Sequence, residues 1–151
     1  MIYHGDSMQM DIVADVIITE PLYLKGSKDY ESYIRDILDT FKAETRVFFQ
    51  PDWRPIPKAF DGWFVADVYT GRYHDYLLST KRGAAKYTGE GSGRNPRPYE
   101  IMRPIVEDFS NPGDTIYDPF MGYGSTGRAC EGREFIGVER LEEFYRKCEG
   151  L

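Results

Sequence analysis

The stretch from Thr115 to Glu139 limits what this chain can fold into more than any other. A short apolar run, Thr115-Ile116-Tyr117, leads into Asp118-Pro119-Phe120-Met121-Gly122-Tyr123-Gly124-Ser125-Thr126-Gly127, where the glycines are spaced as G-x-G-x-x-G. A helix-compatible run through Ala129 and Cys130 follows, then a second strand-like run, Phe135 to Val138, ending on Glu139. Strand, glycine turn, helix, strand and closing acid form the layout of a nucleotide-binding βαβ unit. Glycines let the backbone approach a ligand, a helix N-terminus faces it, and a carboxylate at the next strand's end can accept ribose hydroxyls. A purely structural glycine turn is the weaker reading, because it leaves the closing acid without a purpose.

Only twelve residues follow Glu139, enough for a last helix (Leu141 to Cys148). The strands that complete the sheet must therefore come from the N-terminal half, the reverse of an ordinary dehydrogenase. Three candidates are Asp15 to Thr19, which reads as a buried parallel strand, Arg46 to Gln50, and Gly62 to Thr70. Ile2-Tyr3 begins a further short strand, and His4-Gly5-Asp6-Ser7 is a turn after it. Between Asp29 and Glu44 the apolar residues fall at helical spacing, and Tyr99 to Phe109 repeats the pattern with Ile101, Met102, Ile105 and Val106 inward. The runs at 62–70 and 74–80, separated by Gly71-Arg72-Tyr73, predict an antiparallel hairpin at a sheet edge. The expected fold is α/β: one Rossmann-like domain over 1–151, with a mixed, mostly parallel sheet and helices on both faces.

At 151 residues, with 41% hydrophobic and 29% charged content, the chain is expected to be one soluble domain. No apolar run is long enough to span a membrane, the N-terminus does not read as a signal peptide, and two cysteines suit a cytoplasmic setting. With His4 and His74 as the only histidines and no Cys/His cluster, no metal site is expected. The net charge of −6 does not advertise a nucleic-acid binder. From Lys81 to Arg103, however, six basic residues face two acids. Residues 81–98 are expected to form an exposed, mobile loop, either merely solvated or facing phosphates through Lys81, Arg82, Lys86, Arg94 and Arg97.

These residues together resemble a small DNA amino-methyltransferase of the permuted, beta-type arrangement, in which the catalytic motif precedes the cofactor motif. Asp118 to Gly127 is similar to that family's D-P-F-x-G-x-G-T-T-x loop, and Phe135 to Glu139 to the next motif. Asn95-Pro96-Arg97-Pro98-Tyr99-Glu100 resembles the H-P-x-x-K-P segment, and His4-Gly5-Asp6-Ser7 the G-D motif near the start. Asp15 to Tyr23 sits where the family has D-x-I-x-x-D-P-P-Y. The resemblance implies S-adenosylmethionine as cofactor, with S-adenosylhomocysteine as product. Glu139 would hold the ribose, Asp118, Phe120, Gly122, Gly124, Ser125 and Thr126 the methionine side, and Asp6 the adenine. It implies methyl transfer to the exocyclic amine of a DNA base, adenine first because the motif head is acidic.

Two departures matter. The catalytic motif is Glu20-Pro21-Leu22-Tyr23, so a glutamate stands where the family has aspartate and its carboxylate reaches about 1.5 Å further, one carbon–carbon bond. Leu22 keeps a backbone carbonyl, and Tyr23 keeps the ring that stacks on a base flipped from the duplex. Residues 51–98 also leave no room for a separate target-recognition domain, so a homodimer or partner subunit would have to supply it. A cofactor-binding module without turnover, acting as such a partner subunit, is the alternative reading.

Overall fold

The computed structural model describes residues 1–21, 29–91, 93 and 95–151. Leu22, Tyr23 and Arg94 lie outside the described residues. Eight strands form one sheet: β1 (Ile2–His4), β2 (Val16–Thr19), β3 (Thr45–Pro51), β4 (Phe64–Thr70), β5 (Tyr73–Ser79), β6 (Lys86–Gly89), β7 (Thr115–Asp118) and β8 (Glu134–Glu139). Their spatial order is β1-β8-β7-β2-β3-β5-β4-β6. All neighbours run parallel except β5, which is antiparallel to both β3 and β4.

The central strands β2, β3 and β7 are buried on both sides, which is why they read as continuous apolar runs rather than alternating ones. Their alternation sorts side chains onto two faces. Val16, Ile18, Val47, Phe49 and Ile116 face α2 (Tyr99–Phe109), which contributes Ile101, Met102, Ile105, Val106 and Phe109. Ile17, Phe48, Leu78, Tyr117 and Val138 face α1 (Tyr30–Thr40), which contributes Ile34, Ile37 and Leu38. Each such side chain taken fully from water stabilises the fold by about 1.5–3 kcal/mol. Asp29 starts α1 as its N-cap, accepting the Ser32 N–H at 2.9 Å.

Three expectations are corrected. The hairpin β4–β5 is not the sheet edge, because β6 adds outside β4, with Val68 opposite Tyr87. Residues 81–98 therefore carry a strand rather than loop alone; the buried Tyr87 ring anchors it, its hydroxyl donating to Asp108 at 2.5 Å. The helix after the glycine turn, α3 (Ser125–Arg128), is a single turn and presents no macrodipole of consequence. The last helix, α4, spans Glu142–Lys147.

Chain order and sheet order meet at one place. β7 continues to β8 on one side, whereas its other neighbour, β2, continues away to β3. That reversal is a topological switch point, and the C-terminal ends of β7 and β2 leave a crevice there.

Candidate active site

Three neighbouring parallel strands end in acids at the same rim: β8 in Glu139, β7 in Asp118, and β2 just before Glu20. All three line one cavity of about 260 Å³, together with Pro21, Phe49, Arg97, Phe120, Gly122, Ser125 and Thr126. Glu20-Pro21 and the glycine turn thus open onto the same space although they are about a hundred residues apart in sequence.

The turn is shaped by its glycines. Gly122 and Gly124 sit at φ +53° and +79°, in the left-handed region that side chains rarely adopt. Gly127 has a different role: a Cβ there would stand 2.6 Å from the Phe135 ring, so its bareness lets α3 approach β8. The Glu139 carboxylate closes the turn, accepting the Gly122 N–H and the Leu141 N–H, each at 2.8 Å.

Asp118 is buried at the switch point. Thr19 donates its hydroxyl to Asp118 Oδ1 at 2.5 Å, and the Phe120 N–H reaches the same oxygen at 3.1 Å. Loss of water raises its pKa to about 6, only partly countered by the bonds from Thr19, Phe120 and Thr126.

Glu20 is held by Arg97 through both oxygens, Nη1 to Oε2 at 2.9 Å and Nη2 to Oε1 at 3.1 Å. Nη2 also donates to Asp75 Oδ2 at 3.0 Å. Burial pulls the Arg97 pKa down, but Glu20 and Asp75 outweigh it and hold the guanidinium above its ordinary range. Arg97 is therefore not phosphate-facing, as its place in a basic segment suggested; it is buried against two carboxylates. Lys81 and Arg82 also fall away from this rim. β5 starts at the site with Asp75 opposite Pro51 and runs antiparallel to β3, so Lys81 lies about 20 Å further along, at the far end of the sheet. Lys86 lays its ammonium over Tyr69 at 5.3 Å.

Asp6 accepts the Met8 N–H at 3.0 Å as cap of a short 3-10 turn. It also lines a second cavity of about 230 Å³ with Ser7, Tyr33, Ile37, Phe120 and Glu139. Glu139 and Phe120 line both hollows, which therefore lie side by side. Sequence reasoning missed Asp75 and Thr19. An acid inside an otherwise aromatic and aliphatic strand was the available signal for Asp75; Thr19 offered none. Among the described residues no group of three metal-ligating side chains comes together.

A mixed sheet of this order, with an acid-rich cavity at its switch point and a glycine turn beside it, defines a Rossmann-like protein of the methyltransferase fold class. The comparisons with known proteins are specific. Residues 67–149 match the DNA methylase profile of the N6/N4 type. The chain is 33% identical over 178 positions to the putative methylase YubD of Escherichia coli (strain K12), covering 87% of this chain and 78% of that one. It is 27% identical to the type II methyltransferase M.XycI of Xanthomonas campestris pv. cyanopsidis, of which it spans 41%. The crystal structure of an M1.HpyAVI–SAM complex has the same fold, with a TM-score of 0.75 at 21% identity, covering 98% of this chain and 96% of that one. The chain belongs to the N6/N4 DNA methylase family.

Proposed function

We propose that this chain transfers a methyl group from S-adenosylmethionine to the exocyclic amine of a DNA base, adenine before cytosine, as a permuted, beta-type enzyme with a variant Glu-Pro-Leu-Tyr motif. The observation that carries the reading is the shared cavity of Glu20, Asp118, the glycine turn and Glu139.

The residues suit the cofactor by charge and shape. Three carboxylates and one guanidinium line the main cavity, a formal −2. That composition repels a diphosphate and attracts a cation, which separates a sulfonium from a dinucleotide. In this reading Glu139, common to both hollows, takes the ribose hydroxyls, Asp118 the ammonium, and Asp6 the adenine. When bound, S-adenosylmethionine supplies a methyl group on a positive sulfur, an electrophile.

The chain's own task is to present the amine. An exocyclic amine conjugated to a ring is a poor nucleophile, and an oxygen acceptor on its N–H draws the lone pair outward. Glu20 Oε is that acceptor, while Arg97 keeps its negative charge matched. The backbone carbonyl of Leu22 and the ring of Tyr23 complete the grip in this reading. DNA would approach over the rim, where Trp53 and Tyr99 are more than half exposed and Arg54 stacks on Tyr30 at 4.3 Å. In this reading a second copy or a partner subunit supplies sequence choice.

Incubation with labelled S-adenosylmethionine and mixed-sequence DNA, followed by digestion to nucleosides, tests this. Label in N6-methyladenine is expected. Label in N4-methylcytosine instead would correct the base. No label, with S-adenosylhomocysteine binding intact, would defeat the catalytic reading and leave the partner-subunit one.

A further inference from the structure

We propose that Arg97, anchored by Asp75, is a positioning residue that draws the Glu20 carboxylate back and fixes its orientation, offsetting the reach of the longer acid. This rests on the methyl-transfer reading.

Arg97 is held through both terminal nitrogens and its backbone N–H. Its guanidinium spans Glu20 and Asp75 and lies 4.0 Å from the Phe49 ring centre. Its backbone N–H donates to Ser125 Oγ at 3.0 Å, so the same residue ties β2, β5 and the end of the glycine turn together. The side chains are almost wholly out of water, 5% exposed for Arg97, 1% for Asp75 and 15% for Glu20. Burying a charged group is expensive, and a buried ion pair is often no more stable than an apolar replacement. Stability alone is thus a poor account of three charges gathered here. Geometry is a better one. Glutamate has one more rotatable bond than aspartate, and a two-pronged guanidinium selects one of its rotamers. In this reading a base amine shares the Glu20 carboxylate with the Arg97 fork. Asp75 prevents Arg97 from following Glu20 outward.

The experiment uses the whole chain and the variants Asp75→Asn and Arg97→Lys, which keep size or charge and lose the fork or its anchor. Three measurements are made: single-turnover methyl transfer to mixed DNA, S-adenosylhomocysteine affinity by calorimetry, and the carboxyl ¹³C resonance of Glu20, assigned by its loss in Glu20→Gln. Displacement of the acid by about 1 Å should slow transfer on the order of a hundredfold. The affinity should stay within about twofold, the scatter of independent effects, and the Glu20 resonance should move in both variants. Transfer rates near wild type in both variants would overturn the proposal, as would equal losses of transfer and affinity. If the wild type transfers nothing, the functional reading fails by itself. The resonance then decides the inference, and an unmoved Glu20 signal in Asp75→Asn refutes it.

Discussion

Replacing Glu139 by alanine should injure the free protein before any ligand is considered. The carboxylate accepts the Gly122 and Leu141 N–H groups at 2.8 Å each and is 8% exposed. A hydrogen bond to a charged group contributes about 1.5–3 kcal/mol, so the two together are worth about 3–6 kcal/mol before relaxation. Truncation opens the site to water, which re-solvates part of both donors, and the lower half of that range, about 3–4.5 kcal/mol, is the expected loss. For a domain of this size each kcal/mol moves the melting temperature by about 2–4 °C, which predicts a fall of roughly 6–18 °C. Glutamine is not a neutral substitute, since either orientation of its amide turns an NH₂ towards one of the two backbone donors. Thermal unfolding followed by circular dichroism, with and without S-adenosylhomocysteine, measures both effects. Glu139→Ala should melt early and gain nothing from the ligand. A melting point within about 2 °C of wild type would refute the structural half of the argument. A preserved ligand shift would refute the binding half.

Asp118 makes a pH prediction with a definite sign. Its pKa is raised from 3.8 to about 6 in the fold, so the fold favours the protonated acid. Its contribution to stability is fully present below about 3.8 and is lost as pH rises through about 6, a difference on the order of 3 kcal/mol. Urea midpoints of wild type and Asp118→Asn between pH 4 and 7.5 should therefore diverge, the wild type losing ground to the variant as pH rises. Binding of S-adenosylmethionine should run the opposite way and weaken as pH falls below about 6, because a cation prefers the ionised acid; calorimetry at pH 5 and 7.5 checks it. Gly127→Ala should destabilise by about 1–3 kcal/mol, since its Cβ would stand 2.6 Å from the Phe135 ring, and a melting point unchanged by it would contradict the packing described. Glu20→Asp should slow methyl transfer rather than restore a family-like rate, because the shorter acid recedes by about 1.5 Å from the amine or gives up the Arg97 fork. A faster variant in single-turnover assays would show that the glutamate is a defect.

Much of the fold could be read where its determinants are local. α2 begins and ends at the residues its periodicity marks, and β7, the glycine turn and β8 follow directly from apolar runs punctuated by glycine and acid. What escaped depends on distant partners. β6 is four residues, Lys-Tyr-Thr-Gly, whose strand character comes from pairing with β4 and not from its own pattern. The placement of β5 between β3 and β4 follows from a long-range pairing that no local signal encodes. Arg97 is the sharpest case. A cation in a Gly- and Pro-rich basic stretch looks the same in sequence whether it meets a phosphate or a carboxylate. Here the carboxylates are 22 and 77 residues away along the chain.

The three acids at the rim also give the proposed cofactor site a means to select its ligand by charge. In a parallel sheet, neighbouring strands deliver their C-terminal residues to the same edge, so Glu139, Asp118 and Glu20 crowd together by topology rather than by choice of loop. Burial is the main cause of the upward shift of Asp118, and the nearby charge of Glu139 adds to it. The fold relieves the repulsion with fixed donors: the Gly122 and Leu141 N–H groups on Glu139, Thr19 and the Phe120 N–H on Asp118, and Arg97 on Glu20. Only one of those donors carries a full charge, so the cavity stays negative after all its hydrogen bonds are made. A cation entering it meets attraction that needs no rearrangement, worth about 4 kcal/mol per unit charge at 4 Å for an effective dielectric of 20. A sulfonium that gives up its methyl group loses that charge and with it the attraction, so the electrostatics that bind the donor also help to release the product.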